Sequence, residues 1–325
     1  MRKRFFNTVV LMGALAAAGG AWAQAAGAQT YPVKSVRWIV PFQPGGTTDI
    51  IARIVGQKLS ELWGQTVIID NRPGANAVIG TSAGAKAPAD GYTLTFAYNG
   101  NMAINPNLMR KPPYDAMKDF AHVGVMVASP FVVVVNPALP ANSLKELIAL
   151  AKASPGKINV AVGGAAGQLS SELFKSMAGV DMLNISYKGN APAINAVLSG
   201  EANVMFETVN ASMPYLKANK LRALAVTSVQ RSASFPELPT VAEVVPGYDV
   251  SLWFGVSVPA GTPKEIVDKL SADVARAVRM PDVREKFAAL GLDVIGGTPE
   301  KTTAMIRAEI ETWARVVRDA KIPVE

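Results

Sequence analysis

The hydrophobic pattern of the chain alternates between two periodicities. Short apolar runs are separated by longer stretches whose apolar residues recur at helical spacing. The short runs predict β-strands at Val36–Val40, Val67–Ile69, Thr93–Tyr98, Phe131–Val135, Ile158–Val162, Met182–Ser186, Val204–Phe206, Leu224–Thr227 and Leu252–Val258. Such strand–helix alternation predicts an α/β fold with mostly parallel sheets and helices on both sides.

Three helix starts carry clear signals. Ser143 and Glu146 form a capping-box pattern. Thr262-Pro263 predicts a helix with proline at its first position, and Thr298-Pro299-Glu300 predicts a last long helix through Arg318. The C-terminal part has few strands of its own, so we expect it to pack back onto the N-terminal sheet.

Two chain crossings, near residues 123–131 and 250–256, are expected to join two lobes. We predict lobe 1 at residues 30–128 plus 254–325 and lobe 2 at residues 129–253. This is the layout of a clamshell whose ligand cleft lies between the lobes.

The N-terminus has the pattern of a secretory signal peptide. Arg2, Lys3 and Arg4 precede a short apolar stretch, and Ala21-Trp22-Ala23 offers a cleavage site after Ala23. Residues 1–23 would then be removed, and the protein would act in the periplasm. The chain has no cysteine, so no lipid-anchoring cysteine and no disulfide framework are expected.

Charge argues against a nucleic-acid partner. The full chain has 32 basic and 25 acidic residues, and loss of Arg2, Lys3 and Arg4 leaves 29 against 25, a net charge of +4. The remaining basic residues are scattered and form no block. We expect no nucleic acid, no stable membrane insertion and a monomer.

The turn from Pro41 to Asp49, PFQPGGTTD, follows the first strand and opens the first helix. Gly45 and Gly46 expose the backbone, and a helix start has unpaired N–H donors with partial positive charge. The turn therefore predicts a seat for a carboxylate or phosphate. Asp49 is expected to be an N-cap or dipole partner, not a ligand group.

Further polar turns follow other predicted strands. They are Asn71–Asn76, Asn99–Asn101 with Asn99 and Asn101 as candidates, Gly163–Gln168, and Tyr187–Pro192 with Tyr187 as a candidate. In open α/β sheets, ligands bind outside the carboxyl ends of strands, so these turns predict a shared cleft. Each could also be an ordinary turn that only connects a strand to the next element. Arg72 could either reach an anion or be an exposed turn residue.

Catalytic and metal-binding residues are scarce. His122 is the only histidine and lies beside an apolar run, which favours a structural role. Gly80–Gly84 matches the G-x-S-x-G nucleophile pattern, but it lies inside a predicted helix starting near Asn76 and has no late histidine. The sequence predicts no metal or cofactor, and it favours binding without chemistry.

The motifs together resemble one family. PFxPGGxxD, NRPGAxxxIG, DGYTL, INPNL, YKGxxPA, KLRALAVTS, WFG, PAGTP and AEIxxW occur in order from Tyr31 to Lys321. They are similar to those of Bug proteins, the periplasmic solute-binding receptors of tripartite tricarboxylate transporters. The resemblance implies a type II periplasmic-binding-protein fold, no enzymatic activity, a small carboxylate ligand and a membrane permease as partner.

The resemblance also implies binding residues. In the first lobe they are Phe42, Gly45, Gly46 and Thr47, and in the second they are Gly164, Ala165, Ala166, Gln168, Glu207 and Thr208. The chain departs from the family where Ala165 and Ala166 replace hydroxyls, Gln168 stands at a usual histidine, and Glu207 replaces aspartate. The expected ligand is a di-, tri- or aromatic carboxylic acid, and the missing hydroxyls favour one with an apolar or aromatic body over a citrate-like one. A ligand sensor for a signalling partner, or an enzyme of small-acid metabolism, are the alternatives.

Overall fold

The computed structural model describes residues 31–319 apart from 233 and 234, and also residues 322 and 324. The predicted signal peptide lies outside the described residues. Across the described part, no helix combines the length and hydrophobicity needed to cross a membrane.

Within the described residues, ten strands and ten α-helices follow one another. The elements are β1 Val36–Val40, α1 Thr47–Trp63, β2 Val67–Asn71, α2 Val78–Ala85, β3 Thr93–Tyr98, a π-helix Gly100–Ile104, α3 Asn105–Leu108, β4 Phe120–Val135, α4 Leu144–Ala153, β5 Asn159–Val162, α5 Ala165–Ala178, β6 Leu183–Ser186, α6 Asn190–Ser199, β7 Val204–Thr208, α7 Val209–Lys217, β8 Arg222–Val226, a 3-10 helix Val241–Glu243, β9 Ser251–Pro259, α8 Lys264–Arg279, α9 Pro281–Ala289, β10 Asp293–Val294 and α10 Pro299–Asp319.

The strands form one continuous path in the order β2-β1-β3-β9-β4-β7-β5-β6, with β8 and β10 paired to β4. Strand β1 pairs in parallel with β2 and β3, which we name the first sheet region. Strand β5 pairs in parallel with β6 and β7, the second sheet region. Every antiparallel pair of named strands involves β4 or β9. The predicted α/β fold is confirmed, and its antiparallel pairs come from the two crossing strands.

Strand β4 joins the two sheet regions and changes partners at Pro130. Residues Phe120–Pro130 pair with β9, whereas Phe131–Val135 pair with β7 and β8. Proline has no N–H to continue a ladder, so the change falls where the ladder is already interrupted. Phe131 donates its N–H to the Thr227 hydroxyl at 2.8 Å, and the predicted buried run Phe131–Val135 is indeed buried.

Helix α10 packs against both sheet regions. Ile306, in its first half, lies in a cluster with Trp253 and Met102, near the first sheet region. Trp313, in its second half, lies in the cluster of Phe174 and Phe206, near the second. The predicted lobe boundaries assign all of α10 to lobe 1 and stay a prediction.

Three helix starts differ from the sequence prediction in detail. Pro263 is extended, with φ −52° and ψ 137°, so it caps α8 and is not its first helical residue. The turn Gly163–Gln168 suggests a helix start near Leu169, but helix α5 begins inside that turn, at Ala165, with Gly164 as its cap. Ser143 Oγ accepts the Glu146 N–H at 3.2 Å, but the Glu146 carboxylate accepts from Asn142, one residue before the cap. The start of α10 at Pro299 is confirmed.

Candidate ligand-binding site

The predicted binding turns lie at the carboxyl ends of parallel strands. In the first sheet region Val40 is opposite Asn71, and Ile39 is opposite Thr95. Strands β1, β2 and β3 therefore end at one edge, where the Pro41–Gly46 turn and Asn99 follow. In the second region Val162 is opposite Ser186 and Ala161 is opposite Met205. The loops at 163–164, 187–189 and 207–208 thus also share one edge.

The crossing strands bring these two edges together. Asn99 donates its side-chain amide to the Ser251 carbonyl at 3.3 Å, at the start of β9. Ser251 is opposite Pro130 of β4, and the next residue, Phe131, is opposite Thr208 at the end of β7. Three strand pairings, β3 with β9, β9 with β4 and β4 with β7, therefore link Asn99 to Thr208.

Gly46 lies at the start of α1, the first of the two candidate helices. It is the N-cap of α1, with φ −79° and ψ 169°, and no side chain caps the helix. The Ile50 N–H bonds to the Gly46 carbonyl at 3.0 Å, so the amides of Thr47, Thr48 and Asp49 precede the first intrahelical bond. These donors carry the positive end of the helix dipole.

Asp49 holds the turn from inside. Its buried carboxylate accepts from the Gly45 N–H at 2.9 Å, from Arg53 Nε at 2.8 Å and from Asn71 Nδ2 at 3.0 Å. Burial alone would raise the pKa of this carboxyl, but the bonds from Arg53, Gly45 and Asn71 together lower the pKa below its usual value. Asp49 therefore acts as an ionised dipole partner in the first turn, as predicted, and it engages the Gly45 N–H. It is not the N-cap.

Helix α2 supports the turn from the side. A Cβ added to Gly80 would lie 2.8 Å from Pro41 Cβ and 2.7 Å from the Arg72 carbonyl oxygen. Close approach at Gly80 thus lets α2 pack directly on the start of the turn. The Phe42 carbonyl accepts from Asn71 at 3.0 Å, and the Phe42 ring meets Tyr98 edge-on at 5.3 Å between centroids. An aromatic pair therefore flanks the first edge.

Gly164 lies at the start of α5, the second candidate helix, in the same way. It is the N-cap of α5, its backbone is fully extended, and no side chain caps the helix. The Gln168 N–H bonds to the Gly164 carbonyl at 3.1 Å, so the amides of Ala165, Ala166 and Gly167 precede the first intrahelical bond. The side chain of Ala165 lies outside the described part.

Gly46 and Gly164 share a property that separates them from the other glycines. Of the glycines that the structure describes, only these two combine an ordinary φ with more than 3.4 Å of clearance around an added Cβ. Gly45, in contrast, has φ +87°, and a Cβ on Gly163 would lie 2.6 Å from Asn190 Cα. The fold requires Gly45 and Gly163, whereas neither backbone conformation nor packing requires Gly46 and Gly164.

Glu207 lies beside the second helix start. It is 1 % exposed, and its Oε1 accepts from Thr208 N at 2.6 Å, Thr208 Oγ1 at 3.0 Å and Asn190 Nδ2 at 3.0 Å. Its Oε2 is buried with no hydrogen-bond partner among the described residues. Burial raises the pKa of this carboxyl despite the donated bonds. Sequence reasoning did not select Asn190, although its place at the first position of α6 was a signal.

The family comparison decides what kind of site this is. The family described as "Tripartite tricarboxylate transporter family receptor" matches residues 51–322. The chain belongs to this receptor family. BugT of Bordetella pertussis is 40 % identical over 296 residues, which cover 90 % of this chain and 91 % of BugT. The resemblance drawn from the motifs is confirmed.

Solved receptors have the same fold. The R. palustris protein Rpa4515 with adipate is 38 % identical, covers 90 % of this chain and 99 % of its own, and has a TM-score of 0.72. A ligand-free TctC solute-binding protein from Polaromonas is 26 % identical, covers 89 % and 100 %, and has a TM-score of 0.82. The two-lobed periplasmic-binding-protein fold is thereby confirmed, and the family is one of binding receptors, not enzymes.

Several predicted site residues of the receptor use their side chains inside the protein. Asn101 is fully buried and bonds to Thr81, Phe96 and Tyr98. Asn99 is 1 % exposed and accepts from the Gly100 N–H at 3.0 Å besides donating to Ser251. Both side chains therefore form hydrogen bonds within the protein and support the backbone at the first edge.

Tyr187 and Arg72 also have partners in the receptor. The Tyr187 hydroxyl donates to Glu201 at 2.9 Å. The Glu201 carbonyl in turn contacts Asn159 at the amino end of β5, so the hydroxyl is directed away from the binding edge. Arg72 Nε donates to Asp70 at 2.8 Å, and its side chain is 40 % exposed.

The features that could have suggested catalysis have structural explanations. His122 is buried, its Nδ1 lies 2.9 Å from Ser257 Oγ, and burial lowers its pKa to about 4. Ser82 lies inside helix α2, and Gly84 allows close packing, since an added Cβ would lie 2.9 Å from Thr95 Cγ2. Within the described ranges, no three His, Asp or Glu side chains are grouped to hold a metal.

A separate cavity of about 1780 Å³ lies elsewhere on the receptor. It is lined by parts of β4, α5, α7 and the C-terminal helices, and no predicted site residue lines it. Its volume exceeds the roughly 300–1,000 Å³ of small-molecule sites.

Proposed function

We propose that this receptor captures a small carboxylate between the starts of α1 and α5 and delivers it to a membrane permease. The observation that carries the proposal is the pair Gly46 and Gly164, the two described glycines that neither packing nor φ requires. Each is an uncapped helix start beside free N–H donors. A side chain at either position would stand between the ligand and these donors.

Backbone capture suits a carboxylate in physical terms. Helix N–H groups bind an anion without placing an unpaired Lys or Arg charge in an empty cleft. Gly46, Thr47 and Phe42 would form the first wall. Gly164, Ala165, Ala166 and Gln168 would form the second, with Glu207 and Thr208 beside it.

The walls favour a carboxylate with an apolar or aromatic body. Phe42 and Tyr98 place aromatic rings at the first edge, and Ala166 on the second wall has no hydroxyl to offer. The relative Rpa4515 was solved with adipate, an acid with an apolar middle. A polyhydroxylated acid would leave its hydroxyls poorly matched on these surfaces, at a cost of about 1–3 kcal/mol for each buried unpaired group.

Ligand capture would proceed by closure of the two lobes. The crossing strands β4 and β9 would act as the hinge between predicted lobes 30–128 plus 254–325 and 129–253.

Location and partner complete the proposal. We propose export, cleavage after Ala23 and action in the periplasm as a monomer. Delivery to the permease of a tripartite tricarboxylate transporter follows from the family. A ligand sensor would share the same binding site and would differ in its partner alone.

A thermal-shift screen tests the binding function. Mature protein is scanned against mono-, di-, tri- and aromatic carboxylates, with the corresponding amides as controls. A ligand at one hundred times its dissociation constant should add about 2.7 kcal/mol to the free energy of unfolding. Adipate-like or aromatic acids should raise Tm and the amides should not. No shift with any carboxylate would contradict the proposal.

A further inference from the structure

The large cavity identified above, which we call the hinge groove, contains an unusual concentration of exposed apolar side chains. Met177 of α5 is 38 % exposed, Val229 is 56 % exposed, and Ile295 is 48 % exposed. All three line the groove although they come from distant parts of the chain. Clustered exposed apolar residues mark interaction surfaces, whereas isolated ones need no explanation.

The rim of the hinge groove carries cations that have no acidic partner. Four exposed basic side chains line the groove, namely Lys217, Arg279, Arg284 and Arg315. Within the described part of the chain, none of them forms a salt bridge. Arg279 donates to the Gly296 carbonyl at 3.0 Å, which leaves its charge uncompensated.

Most acids of the hinge groove already have partners. Glu172 pairs with Lys175 at 3.0 Å, and Asp319 pairs with Arg318 at 3.2 Å. The Asp293 carboxylate accepts from Ser232 at 3.0 Å. The ion pairs offset the charges of Glu172 and Asp319, whereas the bond from the neutral Ser232 hydroxyl leaves the charge of Asp293 in place.

Glu309, at the base of the hinge groove, adds little negative charge. Its Oε1 accepts from Trp253 Nε1 at 2.9 Å, and its Oε2 is buried with no hydrogen-bond partner among the described residues. Burial, and the nearby charge of Asp249, raise its pKa to about 8 in spite of the Trp253 bond. The side chain is thus largely neutral at pH 7, and the Asp249 carboxylate accepts a backbone N–H bond from Val229.

We propose that the hinge groove docks an acidic, amphipathic segment of the membrane component to which the receptor delivers its ligand. The apolar residues would contact the apolar face of that segment, and the four free cations its carboxylates. A concave surface fits a polypeptide segment better than a flat lipid surface. The proposal rests on the proposed function, because it assumes a membrane partner.

The position of the hinge groove also suggests how docking would sense the ligand. Its walls include α5, beside the second sheet region, α8 and α9, beside the first, and α10, which packs against both. Rotation of the lobes during closure would move these walls relative to each other. The partner would therefore bind the open and closed receptor with different affinity.

Fluorescence anisotropy tests the docking surface directly. The probe is a fluorescein-labelled helical peptide with leucine on one face and glutamate on the other, and its counterpart has lysine in place of glutamate. Wild-type mature protein is compared with the double variant R284E/R315E. The double variant K145E/K152E is the matched control, since both lysines are exposed on α4, outside the groove.

We expect the acidic peptide to bind the wild type and K145E/K152E equally, and R284E/R315E at least roughly tenfold more weakly. Equal binding by all three proteins, no binding by the wild type, or equal binding of the lysine peptide would overturn the proposal. Wild-type binding to phosphatidylglycerol vesicles in place of the acidic peptide would assign the surface to the membrane and would also overturn it.

A thermal shift with carboxylates separates the two proposals. R284E/R315E should keep the wild-type shift, because neither arginine lies at the strand edges. If the wild type binds carboxylates but not the acidic peptide, the docking proposal alone fails. If it binds no carboxylate, the proposed function fails whatever the peptide does.

Discussion

The two helix starts of the binding site have the same backbone plan but different electrostatic surroundings. Gly46 precedes a helix whose first turn contains Asp49, an ionised group held by Arg53 and Asn71. Gly164 precedes a helix with no acid in its first turn. Its neighbouring acid is Glu207, which is buried and has one oxygen without a partner. The first start is thus fixed by a charged network, and the second has an acid that can change its protonation.

This difference suggests a division of labour. A rigid first start can bind a carboxylate with little loss of conformational entropy, since Asp49 already orders the turn. The second start can adjust to ligand charge, because a nearby carboxylate favours the neutral form of Glu207. Neutral Glu207 has an O–H that can donate to the ligand. Variants that act on one start and not the other can therefore test the comparison.

The largest effect on carboxylate affinity is expected from side chains that block the backbone amides at the two helix starts. Gly46→Val or Gly164→Val should weaken carboxylate binding by about a hundredfold or more, which corresponds to at least about 2.8 kcal/mol. Tm should change little, because the added side chains meet no atoms closer than 3.8 Å from Cβ. Isothermal titration calorimetry with the best acid of the screen measures the loss.

Gly163→Val is the matched control for these variants. Its Cβ would lie 2.6 Å from Asn190 Cα, so it should lower Tm sharply. If Gly46→Val and Gly164→Val both kept wild-type affinity, neither helix start would belong to the site.

A smaller loss of affinity is expected when the hydrogen bonds of Asp49 at the start of α1 are removed. Asp49→Asn should destabilise the protein by about 1–3 kcal/mol and weaken ligand binding roughly tenfold, because the turn loses its order. Asp273→Asn is the control, since Asp273 accepts from Trp63 at 2.7 Å and from Lys269 at 2.7 Å, away from the binding edges. It should lower stability and leave affinity unchanged. An equal loss of affinity in both variants would mean that Asp49 has no special role.

The second start should respond to pH. The pKa of Glu207 is raised by burial, so its neutral form is favoured in the folded protein. Stability from this group is full at low pH and is lost as pH rises through the folded pKa. If bound ligand raises that pKa further, affinity should fall as pH rises through the same titration. Calorimetry from pH 5 to 8 should show the fall in the wild type and a flat profile in Glu207→Gln. A flat wild-type profile would remove the difference between the two starts.

The smallest effect concerns the body of the ligand. Adipate should bind roughly tenfold or more tightly than its tetrahydroxylated analogue, because the flanking rings and Ala166 leave hydroxyls unmatched. Phe42→Ser should reduce this preference without abolishing binding. Tighter binding of the hydroxylated acid to the wild type would show that the walls do not select an apolar body.

Much of this architecture could be predicted from the sequence, since strand runs and helix starts are local signals. The Gly46 turn and the burial of Phe131–Val135 follow from residue type and spacing. The antiparallel pairs did not, because Pro130 determines where β4 changes partners only when distant strands are present. Likewise Asn101 looks like a cleft residue in the sequence, but three long-range and local partners occupy its side chain.

The sequence also could not show that the backbone requires glycine at position 45 but not at position 46. It depends on φ and on the distance to neighbouring atoms, which are properties of the folded chain. The same holds for Gly163 and Gly164. The hinge groove, which is lined by residues from β4 to α10, also has no local sequence signal.

A crystal structure of the mature protein with adipate or the best aromatic acid tests carboxylate capture by the two helix starts most directly. We expect carboxylate oxygens about 2.7–3.2 Å from backbone amides at the start of α1, and the ligand in contact with the start of α5. A carboxylate held by side chains alone, with the Thr47–Asp49 and Ala165–Gly167 amides free, or a ligand seated in the hinge groove, would contradict the account.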